Sequence, residues 1–445
     1  MNGPRAPRRW LRWLLVPLVL AAPVVAFWAF TEWSSQREVA RVRELLAAHA
    51  GPAPAAADSE ERIANEAAVQ LRAIFPAMGL GREGGERLAR DDPRRKPTDL
   101  VRKAAHHELE RVSIEPAPLD VERAAAMESL MPRLAAAREL VLAGSGPQWT
   151  TARSGLTWVN PDLSDVFALV DLLLADAFER ERRGDAASAA ADMEAAWVLA
   201  ASLREHRSLI GTILERAAEV HVAISARRIS SLGPEWGPRL DIDPLGVDTL
   251  EALRFQGRAF LDPPDWPDVA GVMVERGGEM PILARRFELL MAPTMRRQLA
   301  RQVEANIPVI EALEDETRCG PASLRSLVGK RSPHVWGVGW LGDIEPDVSQ
   351  ASRLDNARVQ LELTRRLLDL RARREADPQH RWPEDLGDDG SSSCPGVAFR
   401  LVARGPAVLV LEAESQDGAW WEGSDDTHGY PARVEIPREA EPPAP

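Results

Sequence analysis

Side chains able to do acid–base or metal chemistry are few, and their spacing decides what each could do. His106-His107 stand before Glu108 and Glu110. Four such groups could in principle hold a divalent cation. Adjacent residues on a helix point about 100° apart, however, so the two imidazoles do not converge unaided. The chain has no His-Glu-x-x-His and no paired Cys-x-x-Cys, so a solvated helix face is the expectation here. His221 lies on an apolar stripe with Glu219 nearby, which reads as a core histidine in need of a hydrogen-bond partner. Asp162, Asp165, Asp171 and Asp176 recur on one helical segment. Paired carboxylates do acid–base work when burial drives their pKa values apart. Here most fall off the apolar stripe, and the first two lie near the helix start, where the macrodipole favours acids. No serine sits in Gly-x-Ser-x-Gly, and Gly337-x-Gly339 lacks the third glycine of a dinucleotide loop. No catalytic, metal or cofactor residue is assigned, and no cofactor is expected.

Two further features could matter for covalent linkage or binding. Cys319 and Cys394 are the only cysteines. Oxidised, they would close a loop of 74 intervening residues, worth about 4 kcal/mol by loop entropy. Two buried free thiols are the alternative. Trp336 and Trp340, with Gly337 and Gly339 between them, could form an exposed aromatic interaction patch or a loop packed tightly over helices.

The elements that must position these residues are mainly helical. Apolar residues make up 45% and charged residues 28% of the 445-residue chain, enough for a sizeable core. A net charge of -13 argues against nucleic-acid binding. Basic residues are nearly all Arg, with lysine at 96, 103 and 330. Residues 1–12 carry Arg5, Arg8, Arg9 and Arg12 and no acid, and residues 13–30 carry no charge. That run matches the length of a transmembrane helix, with Trp10, Trp13, Trp28 and Trp33 near its ends. The expectation is a signal anchor in a bacterial inner membrane. The N-terminus would be cytoplasmic and the bulk of the chain periplasmic or otherwise extracytoplasmic. A cleavable signal peptide cut before Phe27 is the rival.

A helical stalk and linker is expected over residues 31–57 and a helical extracytoplasmic domain over 58–345. Its clearest stripe, Leu163, Val166, Phe167, Val170, Leu173, Leu174, Ala177 and Phe178, marks a helix at 161–183. Gly184-Asp185 should break it, and helices at 186–203 and 208–230 should follow. Residues 346–436 read as a long helix and then β-favouring runs at 397–403, 407–413 and 432–436. Residues 437–445 read as a disordered tail. The predicted fold class is mainly α: a transmembrane helix, a helix-hairpin body and a small C-terminal antiparallel β meander.

Gly184-Asp185 followed by Ala189, Ala196 and Leu199 resembles one helix hairpin of a tetratricopeptide repeat. The tail is similar to the C-terminal half of a type II secretion pseudopilin. Leu361, Leu367, Leu368 and Leu370 stand where its helix would be. Trp382-Pro383-Glu384-Asp385-Leu386 stands at its Pro-Glu-x-Leu turn, 397–401 and 408–411 at its strands, and Ser415-Gln416-Asp417-Gly418 at its closing turn. Similar tails end membrane-anchored helical proteins of GC-rich bacteria. The resemblance implies a tail fold and transfers no functional residue, since residues 1–30 lack a pilin processing site. The functional expectation is a noncatalytic protein-interaction or envelope-assembly module, linked to a secretion or pilus-like apparatus. A membrane-anchored hydrolase with an acid/His site is the alternative. The tail hairpin should pack on the long helix through Leu361, Leu368, Phe399, Leu401 and Leu409.

Overall fold

A computed structural model describes residues 9–49, 63–149 (save 84, 85 and 90), 163–203, 209–240, eight residues between 250 and 261, 282–314, 348–415 (save 388, 389, 395 and 406) and 430–437. Its helices are α1 (Arg9–Ala48), α2 (Glu66–Ile74), α3 (Arg95–Leu109), α4 (Val121–Leu142), α5 (Leu163–Arg182), α6 (Ala186–Leu203), α7 (Leu209–Ala226), α8 (Ile282–Glu314) and α9 (Val348–Ala376). Strands β1 (Arg82–Glu83) and β2 (Glu86–Arg87) form a minimal antiparallel hairpin. Strands β3 (Val397–Ala403), β4 (Val408–Ser415) and β5 (Arg433–Pro437) form an antiparallel sheet in that order.

The membrane-spanning helix expected at residues 13–30 is corrected. Among the described residues no helix is long and apolar enough to cross a membrane. A span needs about 20 consecutive apolar residues. Helix α1 instead runs unbroken from the apolar run into a charged half that packs on protein. Glu38 meets Arg297 Nε at 2.6 Å and Arg301 Nε at 3.0 Å, Glu32 pairs with Arg296, and Arg41 chelates Glu304. These partners advance together along both helices, so α1 and α8 lie parallel. Val42, Leu46, Ala300, Val303 and Ile310 fill the seam. The transmembrane element of the fold class, the signal anchor and the single-pass inner-membrane localisation fall with the span. Pro293 and Pro308 both lie inside α8.

The central body is built on the α5–α6 hairpin. Gly184 adopts a left-handed conformation (φ 74°), which lets its N–H donate to the Glu181 carbonyl while the Asp185 N–H reaches the Arg180 carbonyl. This pair of bonds satisfies carbonyls that the helix end would otherwise orphan. Asp185 then caps α6, its carboxylate accepting from the Ser188 N–H at 3.3 Å. Helices α3, α4 and α7 pack around this hairpin, and α9 lies against α7.

Helix α9 joins two cores. Leu361 and Leu368 face the helical body, whereas Val359, Leu363, Leu367 and Leu370 face the sheet with Phe399, Leu409, Leu411, Val434 and Ile436. The sheet does pack on this helix, but through a different face from the one expected. Between the two faces, Arg227 donates to Thr364 Oγ1 at 2.8 Å and to the Gln360 carbonyl at 2.7 Å. Arg371 donates to the carbonyls of Ala226, Arg227 and Ile229. The Arg371 guanidinium thus satisfies carbonyls at and just beyond the C-terminal end of α7, where the helix dipole favours positive charge.

Candidate functional site

The strongest polar constellation joins α3, α5, α7 and the residue leading into β5. At its centre is Asp171, fully buried in the densest apolar stretch of α5. Its Oδ2 accepts from Arg102 Nε at 3.2 Å and Nη2 at 3.0 Å, and lies 3.2 Å from His106 Nε2. Its Oδ1 lies 2.8 Å from His221 Nδ1. The far nitrogen of His221, Nε2, meets the Tyr430 hydroxyl. The His106 and Tyr430 rings both stand edge-on to His221, at 5.2 and 5.5 Å, and Phe167 lies 5.2 Å away.

Local sequence explains each placement. Arg102 and His106 are four apart on α3, so both reach the same side of that helix. Tyr430 is held through its backbone. Gln360 Nε2 donates to its carbonyl at 2.9 Å, and the Ala413 N–H bonds the Ala432 carbonyl at 2.9 Å. The chain leaving α3 also reaches β5, because the Glu435 N–H donates to the Val112 carbonyl at 2.9 Å.

Burial would raise the Asp171 carboxyl, but the hydrogen bonds from His106 and His221 more than offset it and hold it well below the usual carboxylate range. The bond to Asp171 in turn raises His106. Burial, then the charges of Asp171 and Glu110, raises the Tyr430 hydroxyl. A tyrosine nucleophile or base needs the opposite shift. Arg102 on Asp171 would also repel a cation. Among the described residues no group of three or more His, Cys, Asp or Glu is arranged to hold a metal ion.

A second buried cluster lies between α4, α5 and α6. Asp192 accepts from Arg138 Nη1 at 3.0 Å, and Arg180 Nε stands 3.1 Å from Asp176 and 2.9 Å from Asp192. Burial, and then the charge of Asp176, pushes Asp192 up to about 7. Both carboxylates are fully enclosed, so no substrate reaches them. A small apolar slot between α3, α4 and α5 is lined by Val101, Ala105, Leu119, Met127 and Phe178, with Arg123 and Arg182 among its polar residues. It lies on another face of α3 from His106.

Several expectations are corrected. His107 and Glu110 are exposed as anticipated, but His106 turns inward to Asp171, and Glu108 is buried against Arg111. Asp165, Asp171 and Asp176 are buried, not solvated. The partner of His221 is Asp171, while Glu219 pairs with Arg216. The available signal was a charged residue inside the helix with the clearest apolar stripe, which is rare unless paired. Cys394 is fully buried and disulfide-bonded. Cys319, Trp336, Trp340 and Asp162 lie outside the described residues. No family model, curated protein or solved structure matches the chain.

Proposed function

We propose that the chain is a noncatalytic helical module that binds a protein partner through an aromatic ridge on α1. The observation that carries this reading is the exposure of Phe27 (70%), Phe30 (62%) and Trp33 (53%) at three-residue spacing along one helix. The Phe30 and Trp33 rings are 6.1 Å apart, and Arg37 stacks on Trp33 at 4.6 Å. Aromatic and arginine side chains carry most of the energy at protein interfaces. The pairing of α1 with α8 fixes the base of the ridge, which lowers the entropic cost of docking. The acid/His cluster supports the same reading, because Asp171 is fully buried and its partners are the chain's own Arg102, His106 and His221. The pseudopilin-like tail directs the first search for a partner to secretion or pilus-like assemblies.

The test is crosslinking from probes at residues 27 and 30, with mapping of the captured chain. Saturable crosslinking to one protein, lost in Phe30→Asp/Trp33→Asp, is expected. Sedimentation of the ridge with lipid vesicles in place of a protein would overturn the reading. So would ester or phosphoester hydrolysis that disappears in Asp171→Asn.

A further inference from the structure

We propose that Asp176 and Asp192 form a proton-operated clasp: one proton shared between the two carboxyls holds α6 against α4 and α5, and its release frees α6. Hydrogen-bond donors fall one short in a sealed space. Both side chains are fully enclosed. Asp192 Oδ1 accepts from Arg138 Nη1 at 3.0 Å. Arg180 Nε carries a single hydrogen. It stands 3.1 Å from Asp176 Oδ2 and 2.9 Å from Asp192 Oδ2, and donates to Asp176. Arg180 Nη1 is engaged by the exposed Asp185 at 3.2 Å. Asp192 Oδ2 and Asp176 Oδ1 are left enclosed without a hydrogen-bond partner. The two carboxyls lie within hydrogen-bond reach of each other, so a proton on one supplies the missing donor to the other.

Charge leads to the same place. With every carboxylate ionised, Asp176, Asp185 and Asp192 set three negative charges against Arg138 and Arg180. One proton in the enclosed pair leaves two against two. Two carboxylates in one enclosed site disfavour ionisation of both, and a buried charge without its full set of hydrogen bonds is costly. Burial raises both carboxyls above the usual range, Asp192 to about 7, so the proton exchanges near neutrality. Other charged groups around α6 are engaged elsewhere. On α7, Arg216 pairs with Glu219 and stands 3.9 Å from Glu215, and His221 is held by Asp171. Beyond α7, Arg239 pairs with Glu194 of α6 itself, and at the end of α5 Arg183 pairs with Glu128 and Glu179. Asp192 is the residue through which α6 meets Arg138 of α4 and Arg180 of α5. When the proton leaves, the second charge needs a donor from outside, and water reaches it only if α6 moves off its neighbours.

The experiment begins with the full wild-type chain, so its first readouts need no variant to fold. Infrared spectra in D2O at about pH 6 and about pH 8.5, where exposed carboxylates stay ionised, should show a protonated-carboxyl carbonyl band at the lower pH that is gone at the higher. Asp192→Asn should abolish the band. Asp176→Asn should move its midpoint down by about one pH unit or more, because the neighbouring like charge is gone. Hydrogen exchange is read as the ratio of α6 to α9, which cancels the intrinsic effect of pH. In wild type α6 should lose protection relative to α9 above about pH 7, and in Asp192→Asn the ratio should stay constant. The proposal is overturned if wild type shows no such band, if Asp176→Asn leaves its midpoint unchanged, or if the α6-to-α9 ratio does not follow the band. None of these readouts depends on the α1 ridge or its partner.

Discussion

Replacing Asp171 by asparagine preserves shape and removes one buried charge. The carboxylate accepts four contacts: two from Arg102, one from His106 and one from His221. An amide has one acceptor oxygen. With that oxygen toward Arg102 and His106, its NH2 faces His221. That NH2 cannot accept from His221 Nδ1 as the carboxylate oxygen does. Breaking a buried charged set by deleting one member costs about 3–5 kcal/mol. The isosteric amide keeps its contacts to Arg102 and His106, which puts Asp171→Asn at the lower end of that range, about 3 kcal/mol. The bond to Asp171 raises His106, so the folded state binds that proton more tightly than the unfolded chain. Its stabilisation is complete below the ordinary histidine pKa of about 6.5 and disappears as pH rises through the raised value. Asp171 is held low, so its own contribution is present above the carboxylate range and is lost on acidification. Urea unfolding followed by circular dichroism at about pH 5.5 and about pH 9 measures the cost of the substitution and the histidine part of the pH dependence. Wild type should lose stability toward the alkaline value, and the histidine part of that slope should vanish in Asp171→Asn. A variant within about 0.5 kcal/mol of wild type, the normal scatter of surface substitutions, would refute the reasoning. An unchanged slope would refute it as well.

Two other outcomes follow from the buried clusters. Burial raises Asp192 to about 7, so the folded chain takes up a proton that the unfolded chain lacks. Stability should therefore fall as pH rises from the carboxylate range through about 7, and Asp192→Asn should flatten that segment of the urea-midpoint profile; a parallel profile would count against it. For the disulfide at Cys394, non-reducing peptide mapping should find a link to Cys319, with reduction costing up to about 4 kcal/mol. A mapped Cys319 thiol that alkylates without reduction would exclude that pairing.

Local pattern carried much of the helical architecture. The stripe from Leu163 to Phe178 lies within α5, Gly184-Asp185 forms the turn, and the change of period after Pro395 coincides with β3 and β4. These features depend on residues within one or two turns of each other, where period and turn chemistry act directly. The span drawn at residues 13–30 used the same kind of local evidence. It treated the apolar run apart from the charged half of α1, whose partners on α8 lie more than 250 residues away.

Tertiary structure decided which of two apolar faces each part of α9 presents. Leu361 and Leu368 went to the body, and Val359, Leu363 and Leu367 to the sheet. Tertiary structure also assembled the polar cluster. Asp171 meets His106 and His221 across 65 and 50 residues, and His221 meets Tyr430 across 209. A carboxylate inside an apolar helix announces that it needs partners, since an unpaired buried charge is too costly to keep. Sequence spacing cannot name those partners, because they arrive on other elements, and only the packing of α3 and α7 against α5 and the course of the chain into β5 select them.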